Sequence, residues 1–158
     1  MIREHTRAIA TGAACIVVIA ASTTVAAEEH DRFHTSLFVG TTVITEGELQ
    51  DTGAPTLGVD LEYQFTRRFG LGTVVERAFG SIDSTTALAV ADIHIGDGFV
   101  LQVGPGVEWI DDESYAVGRI GVFYEIEFDG FIIAPAINYD ISEGEDSLVL
   151  GANIGLAF

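Results

Sequence analysis

The side chains able to do chemistry in this 158-residue chain are mostly acids: 24 Asp and Glu stand against seven Arg and four His, with no Lys, for a formal net charge of −17. Many recur at even spacing within apolar stretches, as Asp60 and Glu62, Glu76, Asp92 with His94, Glu108, Arg119 with Glu125, and Asn138. Neighbouring carboxylates can divide into an acid and a base, because like charges disfavour double ionisation. Asp92 and His94 could form half of a hydrolytic dyad, with Ser36 or Ser147 as nucleophile by residue type alone. No pair stands apart, however, since all follow the same period of two. Arg119 among so many carboxylates predicts charge-assisted, bidentate hydrogen bonds to Glu62, Glu76 or Glu125. The functional alternative for this network is a gate or proton path. A second set of acids, Asp111, Asp112, Glu113, Glu143, Glu145 and Asp146, occupies two gaps between apolar stretches. Hard divalent cations take several carboxylate oxygens at once. Neither gap has the spacing of a known calcium loop, and a solvated acidic rim is the plainer reading.

The elements that must position these residues are strands. From His34 onward, segments of about ten residues alternate apolar and polar, separated by Gly, Asp, Pro and Ser. Eight strands are predicted: Thr35 to Thr45, Thr56 to Thr66, Gly70 to Ala78, Ala87 to Ile95, Phe99 to Trp109, Ala116 to Phe128, Phe131 to Ile141, and Ser147 to Phe158. In the second, Leu57, Val59, Leu61, Tyr63 and Phe65 share one face and Gly58, Asp60, Glu62, Gln64 and Thr66 the other. Similar division in the later strands gives one oily face and one of Gly, Ala and charged or amide groups. Only Val149 breaks the alternation of the last strand. Connections after the second, fourth and sixth strands are short, whereas the others are longer and acidic. Phe65, Phe69, Phe99, Phe128, Phe131 and Phe158 gather at the short-turn ends, and Trp109, Tyr115 and Tyr139 lie towards the other.

Strands of this length, unequal connections and aromatic ends predict an all-β, eight-stranded antiparallel up-and-down transmembrane barrel, with its oily face in lipid and its small or charged face in the lumen. A barrel of eight strands is wide enough only to be filled by side chains, which favours a plugged interior over a pore. A soluble periplasmic β-barrel binding an apolar ligand is the alternative that the alternation alone leaves open.

Composition sets further bounds. Residues 1–27 combine Arg3 and Arg7, an apolar run from Ala13 to Ala21, and Val25-Ala26-Ala27, the pattern of a cleavable signal peptide. Residues 28–33 would then be a short periplasmic segment and 34–158 the barrel domain. Removal of 1–27 takes away two Arg, one Glu and the single Cys, leaving five basic and 23 acidic residues, net −18, and no disulfide. Such a charge excludes nucleic acid as a partner, because phosphates would repel it. Yet hydrophobic residues make up 48% of the chain and mean hydropathy is +0.37. No cofactor motif is present.

GVDLEYQFTRRFGLG (Gly58 to Gly72), VGPGVEW (Val103 to Trp109) and the closing GLAF resemble the small eight-stranded outer membrane β-barrel proteins of Gram-negative bacteria, often described as porin-like. The resemblance spans nearly all of the chain after residue 27. It implies residence in the bacterial outer membrane, contact with its lipids and lipopolysaccharide, and divalent ions at acidic outer loops. It also implies that the barrel assembly machinery reads the last strand, with Leu156 and Phe158 matching that signal and Asn153 standing where a Gly is expected. The family includes structural anchors, adhesion and resistance proteins and a few lipid-modifying enzymes, so membership implies place more than activity. The expectation is a structural or porin-like barrel with no enzymatic activity; a lipid-modifying barrel enzyme is the alternative.

Overall fold

The computed structural model describes residues 32–47, 50–111, 113–129 and 131–157. The expected signal peptide, nearly all of the segment 28–33, Asp112 and Phe158 lie outside the described residues.

Nine hydrogen-bonded segments follow one another: β1 (Phe33–Ile44), β2 (Gly53–Thr66), β3 (Phe69–Ala78), β4 (Ser84–Gly96), β5 (Phe99–Ile110), β6 (Glu113–Tyr124), β7 (Ile126–Phe128), β8 (Phe131–Ser142) and β9 (Ser147–Ala157). Every pairing is antiparallel, sequential strands are neighbours, β1 pairs with β9, and β6 and β7 both pair with β8. The result is a closed up-and-down barrel of eight staves, the sixth made of β6 and β7 end to end. Their break has a local cause. Phe123 pairs with Ala136 and Ile126 with Ile133, so the unbroken register sets Tyr124 against Pro135, which has no N–H to donate. Pro105 does the same between β4 and β5, where pairing lapses between Leu88–Gly106 and Ala91–Val103. Each proline still pairs on its other side, Pro135 with Ala152 and Pro105 with Gly118.

Turn chemistry closes the staves. The non-glycine residues with positive φ among the described ones are all aspartates in connections: Asp51, Asp83, Asp97, Asp111 and Asp129. Aspartate tolerates the left-handed region because its short side chain bonds to nearby backbone. Asp97-Gly98, both at positive φ, makes the tight turn between β4 and β5. Thr66 Oγ1 accepts the N–H groups of Arg68 and Phe69 in the turn before β3. At the opposite end, β2, β4 and β6 each begin three residues before the stretches expected from sequence, because the pairing runs on through residues without strand alternation, Gly53 to Pro55 in β2 and the polar Ser84 to Thr86 in β4.

The seam between β1 and β9 runs from His34–Ala157 to Ile44–Ser147 in unbroken register. It depends on Gly40 and Gly151, which pair across it. A Cβ on either would meet the tip of the inward Phe38 ring at 2.6 Å. The lumen therefore also holds bulky apolar groups. Phe38, Val100, Phe123, Ile132 and Val149 form one buried cluster with Ala134 and Ala136, and Val74, Leu88, Val90 and Val117 form another. The expected interior of Gly, Ala and charged groups is thus incomplete: Val149, the break in the alternation, is a core residue. The outer face is mostly apolar, with Leu37, Leu71 and Ile137 each 60% exposed; Arg77, near the long-loop end, is a charged exception bonded to Asp83 and Thr85.

Candidate functional site: two buried charge networks

Both networks arise where period-two strands turn charged side chains inward. The first lies towards the long-loop end. Arg119, on β6, is 2% exposed, the largest of the fully buried side chains. Its Nε and Nη2 donate to Asp140 Oδ1 and Oδ2 at 2.7 Å each, and its Nη1 and Nη2 donate to Glu76 Oε1 and Oε2 at 2.8 and 2.7 Å. One guanidinium thus holds two carboxylates bidentately, tying neighbouring staves β6 and β8 to β3 across the lumen. Of the expected partners, Glu76 is present, while Glu62 and Glu125 lie in the other network. Asp140, which takes their place, stands directly opposite Arg119 in the β6–β8 register. Strand parity with Asn138 puts Asp140 inward; only the register identifies it as a partner.

The second network closes the tight-turn mouth. His94 Nε2 lies 2.9 Å from Glu62 Oε1 and 2.9 Å from Gln64 Nε2, and His94 Nδ1 lies 3.6 Å from Glu125 Oε2. His34, paired with Glu62 across β1 and β2, turns its Nδ1 to Glu62 Oε2 at 3.4 Å and Glu125 Oε1 at 3.9 Å. Next to it, Gln102 donates to Asp92 Oδ1 at 2.9 Å and to Asp60 Oδ2 at 3.4 Å. Asp92 is therefore held by Gln102 and not by His94, so the dyad considered from sequence does not assemble. Ser36 lines the same mouth cavity as His34, whereas Ser147 is buried at the long-loop end. His34, Gln64 and Gln102 were missed as network members, although parity with Phe38, Glu62 and Val100 points all three inward.

The remaining expected residues are dispersed. Glu108 is buried near the long-loop end, where Ser142 Oγ donates to it at 3.3 Å. Asn138 is buried, and its Oδ1 has no hydrogen-bond partner among the described residues. In the loops, Asp146 accepts from Ser142 N–H at 3.0 Å and Tyr139 OH at 3.1 Å, and its carbonyl takes the Thr45 N–H. Tyr115 OH donates to Glu113, and Ala116 N–H to Glu143 at 3.4 Å. These acids fasten strand ends. Among the described residues, Asp111, Glu113, Glu143, Glu145 and Asp146 do not converge in threes at metal-binding distance, while His34, Glu62 and Glu125 do. Leu156 is exposed on the outer face at the tight-turn end.

The interior has little free space. The cavity at the mouth measures about 30 Å³ and one between Glu76, Glu108 and Asp140 about 10 Å³. These volumes suit at most a water or two or a single ion.

No protein-family profile matches the chain, and no curated protein matches its sequence. Solved structures do match. The N-terminal β-barrel domain of Pseudomonas aeruginosa OprF superposes with a TM-score of 0.58 at 14% identity, covering 79% of this chain and 97% of that one. Ail, the attachment invasion locus protein of Yersinia pestis, gives 0.52 at 13% identity over 80% and 99%. A de novo designed transmembrane β-barrel gives 0.54 at 9% identity over 82% and 100%. At these identities the likeness is one of fold: this chain has the closed eight-stranded architecture of small transmembrane barrels.

Proposed function

We propose that this protein is an integral barrel of the bacterial outer membrane with a structural or porin-like role, sealed by its own side chains and without enzymatic activity. The observation that carries this reading is the reversal of polarity between wall and interior. Arg119, Glu76, Asp92 and Glu62 are buried, while Leu37, Leu71, Ile120 and Ile137 stand outside. Only a lipid solvent makes both placements favourable. Strands of about 12 residues at roughly 3.3 Å per residue, tilted as in such barrels, match the hydrocarbon thickness. Phe65, Phe69, Phe99, Phe128 and Phe131 at one end and Trp109 at the other are exposed where an interfacial girdle would lie.

In this reading residues 1–27 direct export and are removed, Leu156 and Phe158 are read by the assembly machinery, and the acidic loops meet lipopolysaccharide and its divalent ions. A soluble barrel for an apolar ligand would need an apolar lumenal cavity of some hundreds of Å³, whereas the cavity inside the mouth measures about 30 Å³ and the larger apolar hollows, beside Leu71 and Ile120 and beside Tyr124 and Ile137, lie on the exposed outer wall. The test is fractionation with gel mobility. The protein should require detergent for extraction and migrate faster unboiled than boiled; release into the soluble periplasmic fraction would refute the proposal. In planar bilayers the wild type should conduct little or not at all. Unchanged lipid A in cells that express it would dismiss the lipid-modifying alternative.

A further inference from the structure

The two charge networks are built on the same plan and given different basic partners. In each, two inward carboxylates from opposite sides of the lumen face one another, all of them buried except the half-buried Glu125. Glu76 and Asp140 share the guanidinium of Arg119 at 2.7–2.8 Å. Glu62 and Glu125 have no arginine between them; their ion-pairing contacts among the described residues are the two imidazoles of His34 and His94. Asp60 and Asp92 add two further carboxylates to the same cavity. The chain has no lysine to place there.

The two imidazoles play unequal parts. His94 approaches Glu62 Oε1 and Glu125 Oε2, one oxygen of each carboxylate. The other oxygen of each, Glu62 Oε2 and Glu125 Oε1, faces His34 Nδ1. That nitrogen is buried and makes no hydrogen bond among the described residues. The atoms left over are thus one imidazole nitrogen and two carboxylate oxygens, and His34, Glu62 and Glu125 each offer a ligand atom within 4.8 Å of the others. Around a tetrahedral zinc ion with bonds of 2.0–2.1 Å, neighbouring donors stand about 3.3–3.4 Å apart. His34 Nδ1 lies 3.4 Å from one oxygen and 3.9 Å from the other, so these two spacings come within about 0.5 Å of that geometry. The adjoining cavity of about 30 Å³ accommodates an ion with a water as fourth ligand.

We propose that the tight-turn mouth is a binding site for a zinc-class divalent metal ion, ligated by His34 Nδ1, Glu62 Oε2 and Glu125 Oε1. His94 is a positioning residue there. By holding the outer oxygens of both carboxylates it orients them, as second partners do in metal centres generally. The ion would offset carboxylate charge at the mouth as Arg119 does in the deeper network, and would fasten β1 and β2 to the junction of β6 and β7 across the lumen. Glu125 sits in that junction, opposite Ala134 in the continued register and next to the lapse that Pro135 imposes.

The experiment is zinc titration of the untagged folded barrel in micelles, by calorimetry and by equilibrium dialysis, with unboiled gel mobility confirming the fold of each variant. The wild type should bind one zinc per barrel. His34→Ala and Glu125→Gln should weaken binding by about 100-fold or more, and His94→Gln by about 10- to 100-fold, the range for loss of a partner behind a ligand. Glu143→Gln, on the outer loop, should leave it unchanged. No stoichiometric zinc in the wild type, or binding that Glu143→Gln weakens and His34→Ala does not, overturns the proposal. Glu125→Gln keeps the side-chain shape, so it remains decisive if His34→Ala fails to fold. Micelle measurements depend only on the folded barrel, so the result stands apart from that of the fractionation test.

Discussion

Replacing Arg119 by Met should be among the most damaging single changes in this barrel, and the reason can be worked out from its contacts. Four charge-assisted hydrogen bonds at 2.7–2.8 Å join it to Glu76 and Asp140. Bonds of this kind contribute about 1.5–3 kcal/mol each net of the water bonds they replace, although four that share one guanidinium do not add in full. Met fills much of the space but leaves two carboxylates facing each other without a cation, and removing one member of a buried ion pair costs about 3–5 kcal/mol. The assay is urea unfolding of the barrel from phospholipid vesicles, followed by the fluorescence of Trp109, the single tryptophan. An unchanged slope would show that the midpoint shift reports stability. The triple variant Arg119→Met, Glu76→Gln, Asp140→Asn removes every charge at the site and should recover at least half of the loss. A single variant within about 0.5 kcal/mol of wild type, or a triple variant no better than the single, would refute the view that uncompensated charge is what Arg119 prevents.

Truncation of the same residue, Arg119→Ala, should open a measurable conductance in planar bilayers that the wild type lacks, since it removes both the plug and its cross-lumen ties. Ile137→Arg, on the outer face near mid-strand, should destabilise the barrel by about 2–4 kcal/mol in vesicles, against about 0–1 kcal/mol for Phe99→Arg at the tight-turn end; equal, near-zero effects would mean that the outer wall faces water. Gly151→Ala should destabilise the seam by about 1–3 kcal/mol through overlap with the Phe38 ring and the Gly40 backbone, and Phe38→Leu should recover part of it. A neutral Gly151→Ala in the same unfolding assay would show that β1 and β9 pair differently from the register described.

Period-two alternation is a local property of the chain, and it was enough to divide Leu57, Val59 and Leu61 from Asp60 and Glu62, and to set Arg119 inside with Glu76. It failed where one stave departs from its own rule. Val149 looks misplaced among small and polar residues, yet it packs with Phe38, Val100 and Phe123 from three other strands. The small inward residues that suggested a crowded polar lumen serve in part to admit such groups: Gly40 and Gly151 make room for one phenylalanine ring. The loop acids were legible as exposed and acidic, but their work as anchors was not: Asp146 folds back on Tyr139 and Ser142 of the strand before it, and Glu143 reaches Ala116 on a strand 27 residues away.

The sequence by itself determined the staves, their two faces and the unequal ends, because strand parity and turn chemistry are settled within a few residues. Which charged groups meet was decided only by closure. Arg119 and Asp140 are 21 residues apart and become partners through the register of β6 against β8; Glu76, a further stretch away on β3, joins them across the lumen. His34 reaches Glu62 through the β1–β2 register and Glu125 through the curvature of the wall. Parity states that a side chain points inward, but a barrel has many inward directions. Stagger and closure choose among them, and so separate the carboxylates that share an arginine from those left to two histidines.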